Sequence, residues 1–217
     1  DSVLKGKDTL ALLPTGGGKS VCYQVPGMAL DGMCIVVSPL VALMHEQVSQ
    51  LEKKGIKAVA LTSAMTYREI ETVFNNAIYK TYKFLYISPE RIQTKLFLRK
   101  LPSLPVSLIA VDESHCISQW GYDFRPSYLQ IKKIRELLPA VPLLAVTATA
   151  TKKTVADIIA QLEFKKDHAI FKTSFARPNL HYHIKKDENK FETLLNTCNK
   201  IKGTGIVYVR NRRKTKE

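Results

Sequence analysis

The sequence predicts an α/β fold: a parallel sheet with helices on both faces, followed by an incomplete second α/β unit. Three observations predict it. Short runs rich in Val, Ile and Leu alternate with amphipathic stretches through residues 1–164, the pattern of repeated βαβ units. The runs lack clean polar alternation, as expected of strands covered on both faces. A glycine-rich loop follows one run and an acidic pair follows another, where open parallel sheets place their ligands.

Each element follows from its residues. Strands are expected at Thr9–Leu13, Met33–Val37, Ala58–Leu61, Phe84–Ile87, Val106–Val111 and Leu143–Thr147. Between them the apolar spacing is helical near Lys19–Ala29, Leu40–Lys54, Thr66–Ala77, Glu90–Lys100, Ser127–Leu138 and Thr151–Leu162. A last strand at Ala169–Lys172 completes a first unit over residues 1–173. Pro178 interrupts regular structure in a linker, Ser174–Leu180. Beyond it a strand (His181–Lys185), a helix (Asn189–Asn199), a turn (Gly203–Gly205) and a strand (Ile206–Val209) read as the opening of a second α/β unit over 174–217. Those residues are too few to bury a core of their own.

Composition narrows the class. The chain of 217 residues is 45% hydrophobic and 24% charged, ordinary for a soluble globular protein. Disorder, collagen and small disulfide scaffolds are excluded. No apolar run approaches the roughly 18 residues of a membrane span, and no signal peptide opens the chain. Cys22, Cys34, Cys116 and Cys198 are scattered, which argues against a zinc site and for a reducing compartment, cytoplasmic or nuclear. The chain begins with Asp1 rather than Met, as expected of a piece of a longer protein. Lys and Arg number 33 against 19 Asp and Glu, a formal charge of +14. Residues 165–217 alone carry 14 basic and 5 acidic side chains. Such a balance favours a polyanionic partner, usually nucleic acid, although it also serves plain solubility.

Three motifs carry chemistry. Leu13-Pro-Thr-Gly-Gly-Gly-Lys-Ser20 lies between a strand and a helix. Thr15, Gly16, Gly17 and Gly18 let backbone N–H groups turn inward around an anion, and the helix N-terminus adds partial positive charge. Lys19 suits the β- and γ-phosphates of ATP, and Ser20 suits Mg²⁺. The strict pattern has Gly where Leu13 stands. The second motif, Asp112-Glu-Ser-His115, ends an apolar strand. Asp112 suits a metal ion held through water, and Glu113 suits the orientation or deprotonation of an attacking water. The third, Thr147-Ala-Thr149, offers two hydroxyls to Asp112 or His115, or else a helix cap. His181 and His183 alternate along a strand but have no partner ligands in pattern.

Together these motifs resemble the DExH helicases of superfamily two, which implies a RecA-like P-loop NTPase domain. Cys116-Ile-Ser-Gln-Trp-Gly-Tyr-Asp-Phe-Arg-Pro-Ser-Tyr128 narrows the resemblance to the RecQ family, whose aromatic-rich loop it resembles. Ser38–Met44, Ser88–Arg91, Ser174–Leu180 and Gly205–Arg212 resemble further family motifs in family order. The resemblance implies that Lys19, Asp112, Glu113 and His115 are catalytic, with Ser20 and Asp112 serving Mg²⁺. It implies that His115, with Thr147 and Thr149, couples hydrolysis to DNA. It places Gln119, Trp120, Phe124 and Arg125 in a loop that senses single-stranded DNA, with Ser38 and the helix after it on the strand's backbone. Aromatics interleaved with Arg suit base stacking on their own physics, worth about 1–3 kcal/mol per base, although they also suit anchoring the loop to the core. Tyr122 departs from the family, where His is common.

The resemblance further implies an ATP-driven enzyme unwinding DNA 3′ to 5′ in repair and recombination. Its partners would be single-stranded and partly duplex DNA, with single-strand-binding or recombination proteins joining the full-length form. Segments that read adenine and complete the ATP site from the second lobe fall outside this sequence, so weak turnover is expected of the chain alone. The alternative from another class is a nucleic-acid-binding fragment without catalysis. A further enzyme reading is an RNA-directed or remodelling relative that hydrolyses ATP without unwinding, which stronger stimulation by RNA than by DNA would favour; the Trp120 loop and the basic balance speak against a small-molecule kinase.

Overall fold

The computed structural model describes residues 1–79, 81–121, 123–174 and 179–209. Seven strands form one sheet: β1 (Thr9–Leu12), β2 (Met33–Val37), β3 (Ala58–Leu61), β4 (Phe84–Ile87), β5 (Val106–Val111), β6 (Leu143–Thr147) and β7 (Ala169–Lys172). Their order is β3-β4-β2-β5-β6-β1-β7, and every pairing is parallel.

Parallel pairing demands a crossover between neighbouring strands, and the crossovers are helices that cover both faces. On one face Leu10, Leu12, Ile35, Val37, Ile87 and Ile109 pack with Ile70 and Phe74 of α3 (Tyr67–Ile78) and Ile158 of α7 (Lys152–Gln161). On the other, Ala11, Cys34, Val36, Tyr86, Ala110 and Val146 pack with Tyr23 of α1 (Lys19–Ala29) and with Met44 and Leu51 of α2 (Val41–Glu52). The alternation is real, but both faces are apolar, so it vanishes from the sequence pattern. Among the described residues no helix is long and apolar enough to cross a membrane.

Most predicted elements form where expected, and the exceptions have local causes. The stretch 90–100 is two helices, α4 (Pro89–Ile92) and α5 (Lys95–Lys100). Thr94 breaks it by accepting a bond from the Phe97 N–H and capping a second start. The stretch 127–138 begins as a 3₁₀ helix, Pro126–Ile131, before α6 (Lys132–Leu137).

The chain divides into two compact units, Asp1–Phe175 and Ala176–Glu217. In the second, the regular structure among the described residues is α8 (Lys190–Lys200), whose Asn189 caps Glu192 N–H. His181–Lys185 and Ile206–Val209 are not strands. A strand is completed by a neighbour's hydrogen bonds, and within the described residues of that unit neither segment has one. Tyr122, residues 175–178 of the linker and the basic end 210–217 lie outside the described residues.

One buried carboxylate ties the lower end of the first unit together. Asp8 accepts from Leu143 N–H (2.9 Å), from Lys165 N–H (2.8 Å) and from the Arg135 guanidinium. Both charged side chains are almost fully buried. Removing one member of such a pair strands the other in low dielectric. We expect Asp8→Ala to cost about 3–5 kcal/mol in denaturant unfolding. By contrast, Lys132→Ala, which removes the exposed Lys132–Glu136 pair, should cost less than about 1 kcal/mol.

Candidate functional site

The glycine-rich loop leaves the upper end of β1. Leu13 N–H still bonds Thr147 carbonyl at 3.1 Å, so Leu13 extends the ladder rather than opening the turn. The turn itself uses Gly16 (φ 78°) and Gly18 (φ 81°), in the left-handed region that glycine tolerates. Gly17 passes so close to Pro14 that a Cβ would lie 2.8 Å from its carbonyl oxygen. Thr15 through Gly18 are exposed, leaving the anion cradle open. Lys19 and Ser20 begin α1 immediately behind it.

The acidic motif leaves β5, separated from β1 only by β6. Glu113 adopts a left-handed conformation (φ 45°, ψ 45°), uncommon for a side chain with a Cβ. That turn sends its carboxylate between two partners. One oxygen lies 3.8 Å from Lys19 Nζ and the other 3.3 Å from His115 Nδ1. His115 Nδ1 also lies 2.7 Å from Thr147 Oγ1. Thr147 Oγ1 in turn accepts from Thr149 N–H at 3.2 Å. Of the two alternatives for Thr147, contact with His115 is the one realised. The cap of α7 falls to Thr151.

Electrostatics distinguish the two carboxylates. Asp112 is buried, and burial together with its neighbour Glu113 pushes its pKa up to about 6. The Glu113 N–H and Lys19 oppose that shift only in part. His115 is shifted below its ordinary value, burial outweighing the attraction of Glu113, so its imidazole is neutral at pH 7.

The Ser20 hydroxyl shares a hydrogen bond with Tyr23, whose own pKa is raised by burial and by the charges of Tyr86 and Asp112. Hydroxyl and carboxylate oxygens are the donors a hard cation such as Mg²⁺ takes, and the raised pKa of Asp112 shows that its buried charge is only partly offset by Lys19. The residues fit that ion.

The aromatic loop runs on from the acidic motif. Trp120 is 60% exposed, Gln119 is exposed, and Phe124 and Arg125 are half-buried. Trp120 therefore does not anchor the loop to the core. Arg125 is held by Asp123 at 2.9–3.0 Å and donates to Pro39 carbonyl at 3.2 Å, joining this loop to the one after β2. Ser38 ends β2 buried, its Oγ without a partner among the described residues. Its hydroxyl faces no solvent, whereas Leu40 and Val41 at the head of α2 do.

A cavity of about 280 Å³ unites these parts. Its walls include Thr15, Glu113, His115, Arg125 and Thr149. Sequence reasoning missed three supporting residues. Tyr128 is fully buried and donates to Asp112 carbonyl at 2.9 Å. Asp123 orients Arg125, and Lys153 lies over Trp120. Tyr128 and Asp123 stand inside the aromatic stretch, but nothing local in the sequence marks Lys153.

Comparison with known proteins places the chain in a family. The model of the DEAD/DEAH box helicase family matches residues 1–158. A probable ATP-dependent DNA helicase RecS of Bacillus subtilis is 45% identical over 100% of this chain and 44% of its own length. An ATP-dependent DNA helicase RecQ of Pasteurella multocida is 41% identical over 99% of this chain and 34% of its own length. This chain thus spans less than half the length of those relatives. The crystal structure of the Pyrococcus furiosus Hef helicase domain superposes with a TM-score of 0.59 at 18% identity, over 78% of this chain and 35% of that one, a likeness of fold. The chain belongs to the DEAD/DEAH box helicase family, with the RecQ and RecS helicases among its relatives.

The raised pKa of Asp112 has a measurable sign. The folded value of about 6 lies above the usual carboxylate value, so ionised Asp112 opposes folding above about pH 6. That cost fades as pH falls from 7 toward 4. Without metal or nucleotide, Asp112→Asn should raise the unfolding free energy at pH 8 by at most about 3 kcal/mol, and the gap to the parent should close near pH 4. Calorimetry across that range checks it.

Proposed function

We propose that this chain is the ATP-binding lobe of a RecQ-type DNA helicase, coupling ATP hydrolysis to 3′-to-5′ movement on single-stranded DNA and to duplex unwinding. One observation carries the reading: the Glu113 carboxylate sits between Lys19 and His115, at 3.8 and 3.3 Å. Lys19 can leave that carboxylate for a phosphate while Glu113 keeps its contact with His115.

The steps follow from the residues. The N–H groups of Thr15–Gly18 and the start of α1 receive the phosphates of ATP. Lys19 turns from Glu113 to the β- and γ-phosphates, where its charge is better matched. Glu113, released on that side, orients a water in line with the γ-phosphate and accepts its proton. Ser20 and Asp112 would hold Mg²⁺, which when bound neutralises charge on the phosphates. Neutral His115 keeps Glu113 aimed and passes its position to Thr147, then to the main chain at Thr149. Arg125 on the cavity wall and the exposed Trp120 of the same loop offer phosphate contact and a stacking surface to DNA. The 3′-to-5′ polarity, the partly duplex substrate and the protein partners rest on the family resemblance.

The test uses this chain and a form extended to the length of its relatives. Lys19→Ala should abolish binding of a fluorescent ATP analogue. Glu113→Gln should keep that binding and lower DNA-stimulated turnover at least about 100-fold. Salt-dependent DNA binding with no turnover response in either form would overturn the reading in favour of a binding module.

A further inference from the structure

Trp120 is the single tryptophan of the chain, and its main chain is pinned on both sides. Its N–H donates to Ser118 Oγ at 3.2 Å, and its carbonyl accepts from Thr154 Oγ1 at 3.4 Å. Gly121 beside it packs so tightly that a Cβ would lie 2.3 Å from His115 carbonyl oxygen. The backbone is fixed while the indole stays largely exposed. One face of that indole is taken: Lys153 Nζ lies 3.0 Å from the ring centroid.

Lys153 belongs to the first turn of α7, just past the Thr151 cap, and Thr154 beside it makes the bond to Trp120 carbonyl. The helix therefore grips the loop twice, once by main chain and once by cation on ring. A cation over an exposed indole is a modest interaction, weaker than a stacked base. A base of single-stranded DNA and the Lys153 ammonium cannot occupy the same face at once.

We propose that Lys153 is a positioning residue that caps Trp120 when DNA is absent and is displaced from the ring by a stacking base. Resting on the DNA role proposed above for Trp120, the cap deepens it by setting how much single-stranded DNA must be present before the loop engages. The displaced ammonium stays close enough to meet a backbone phosphate, but its net effect on binding is opposition, because the ring must first be uncovered.

Trp120 fluorescence tests both halves. Without DNA, Lys153→Ala should raise the acrylamide quenching constant of Trp120 about twofold, and Lys153→Arg, which keeps a cation over the ring, should restore the parent value. Unchanged quenching in Lys153→Ala overturns the cap, whatever Trp120 does with DNA. In titration with a short oligothymidine, Lys153→Ala should bind two- to fivefold more tightly by Trp120 signal, the factor expected for removing a modest cation–π contact. Lys152→Ala, on the same turn, should bind no more tightly than the parent. Weakening by Lys153→Ala to the same extent as by Lys152→Ala overturns the competition and makes Lys153 a simple phosphate contact. If DNA moves the Trp120 signal in none of the chains, the DNA role of Trp120 falls and the competition with it. That failure is recognisable because the acrylamide measurement needs no DNA.

Discussion

The site depends on one topological constraint: β6 lies between β1 and β5 in a parallel sheet. Leu12 pairs with Thr147, and Val111 pairs with Ala145. Three strands distant in sequence therefore release their chains at one edge, within reach of each other's side chains. Lys19 comes from the exit of β1, Asp112 and Glu113 from that of β5, and Thr147 is the last residue of β6. Register brings the three strand ends together, and the turns that leave them aim the side chains. A slip of one residue would reverse every side chain and send Thr147 into an apolar layer.

Charge then makes the edge more than a meeting point. Burial of Asp112 and the left-handed turn at Glu113 are both unfavourable in isolation, and both are held by surrounding contacts. Tyr128 fixes the carbonyl of Asp112, and Asp112 N–H bonds Val37 carbonyl at 2.9 Å. The backbone between these anchors has no freedom to relax. Its strain aims one carboxylate at Lys19 and keeps the other dry, so two adjacent acids acquire different chemistry from position alone.

The strands were legible because apolar runs of five or so residues between loop signals admit few other readings. The glycine-rich turn was legible despite Leu13, and the geometry explains why: the positive φ angles fall at Gly16 and Gly18, while Leu13 remains in the ladder. What escaped detection depends on distance. The break at Thr94 interrupts a continuous helical pattern, because a threonine hydroxyl can cap as readily as it can sit within a turn. His181–Lys185 and Ile206–Val209 have strand-like residues, but strand formation is settled by a neighbour that local pattern cannot supply. Asp8 with Arg135, and Lys153 with Trp120, join residues far apart in sequence, and neither pair announces itself by spacing.

In the function proposed above, the link between nucleotide and nucleic acid would run through the exit of β6. Thr147 receives His115 from the phosphate side and supports the N–H of Thr149. Two residues on, Thr151 caps α7, and Thr154 on the first turn of that helix holds the carbonyl of Trp120. Fewer than ten residues of backbone thus carry contacts to Glu113 through His115 at one end and to the aromatic loop at the other. A strand end hydrogen-bonded into a sheet and a capped helix start are both stiff, so displacement at Thr147 is not absorbed in the short segment between them. In the proposed cycle, Lys19 leaving Glu113 for a phosphate would be felt first at the His115–Thr147 pair, and Trp120 is the exposed group at the far end of that chain.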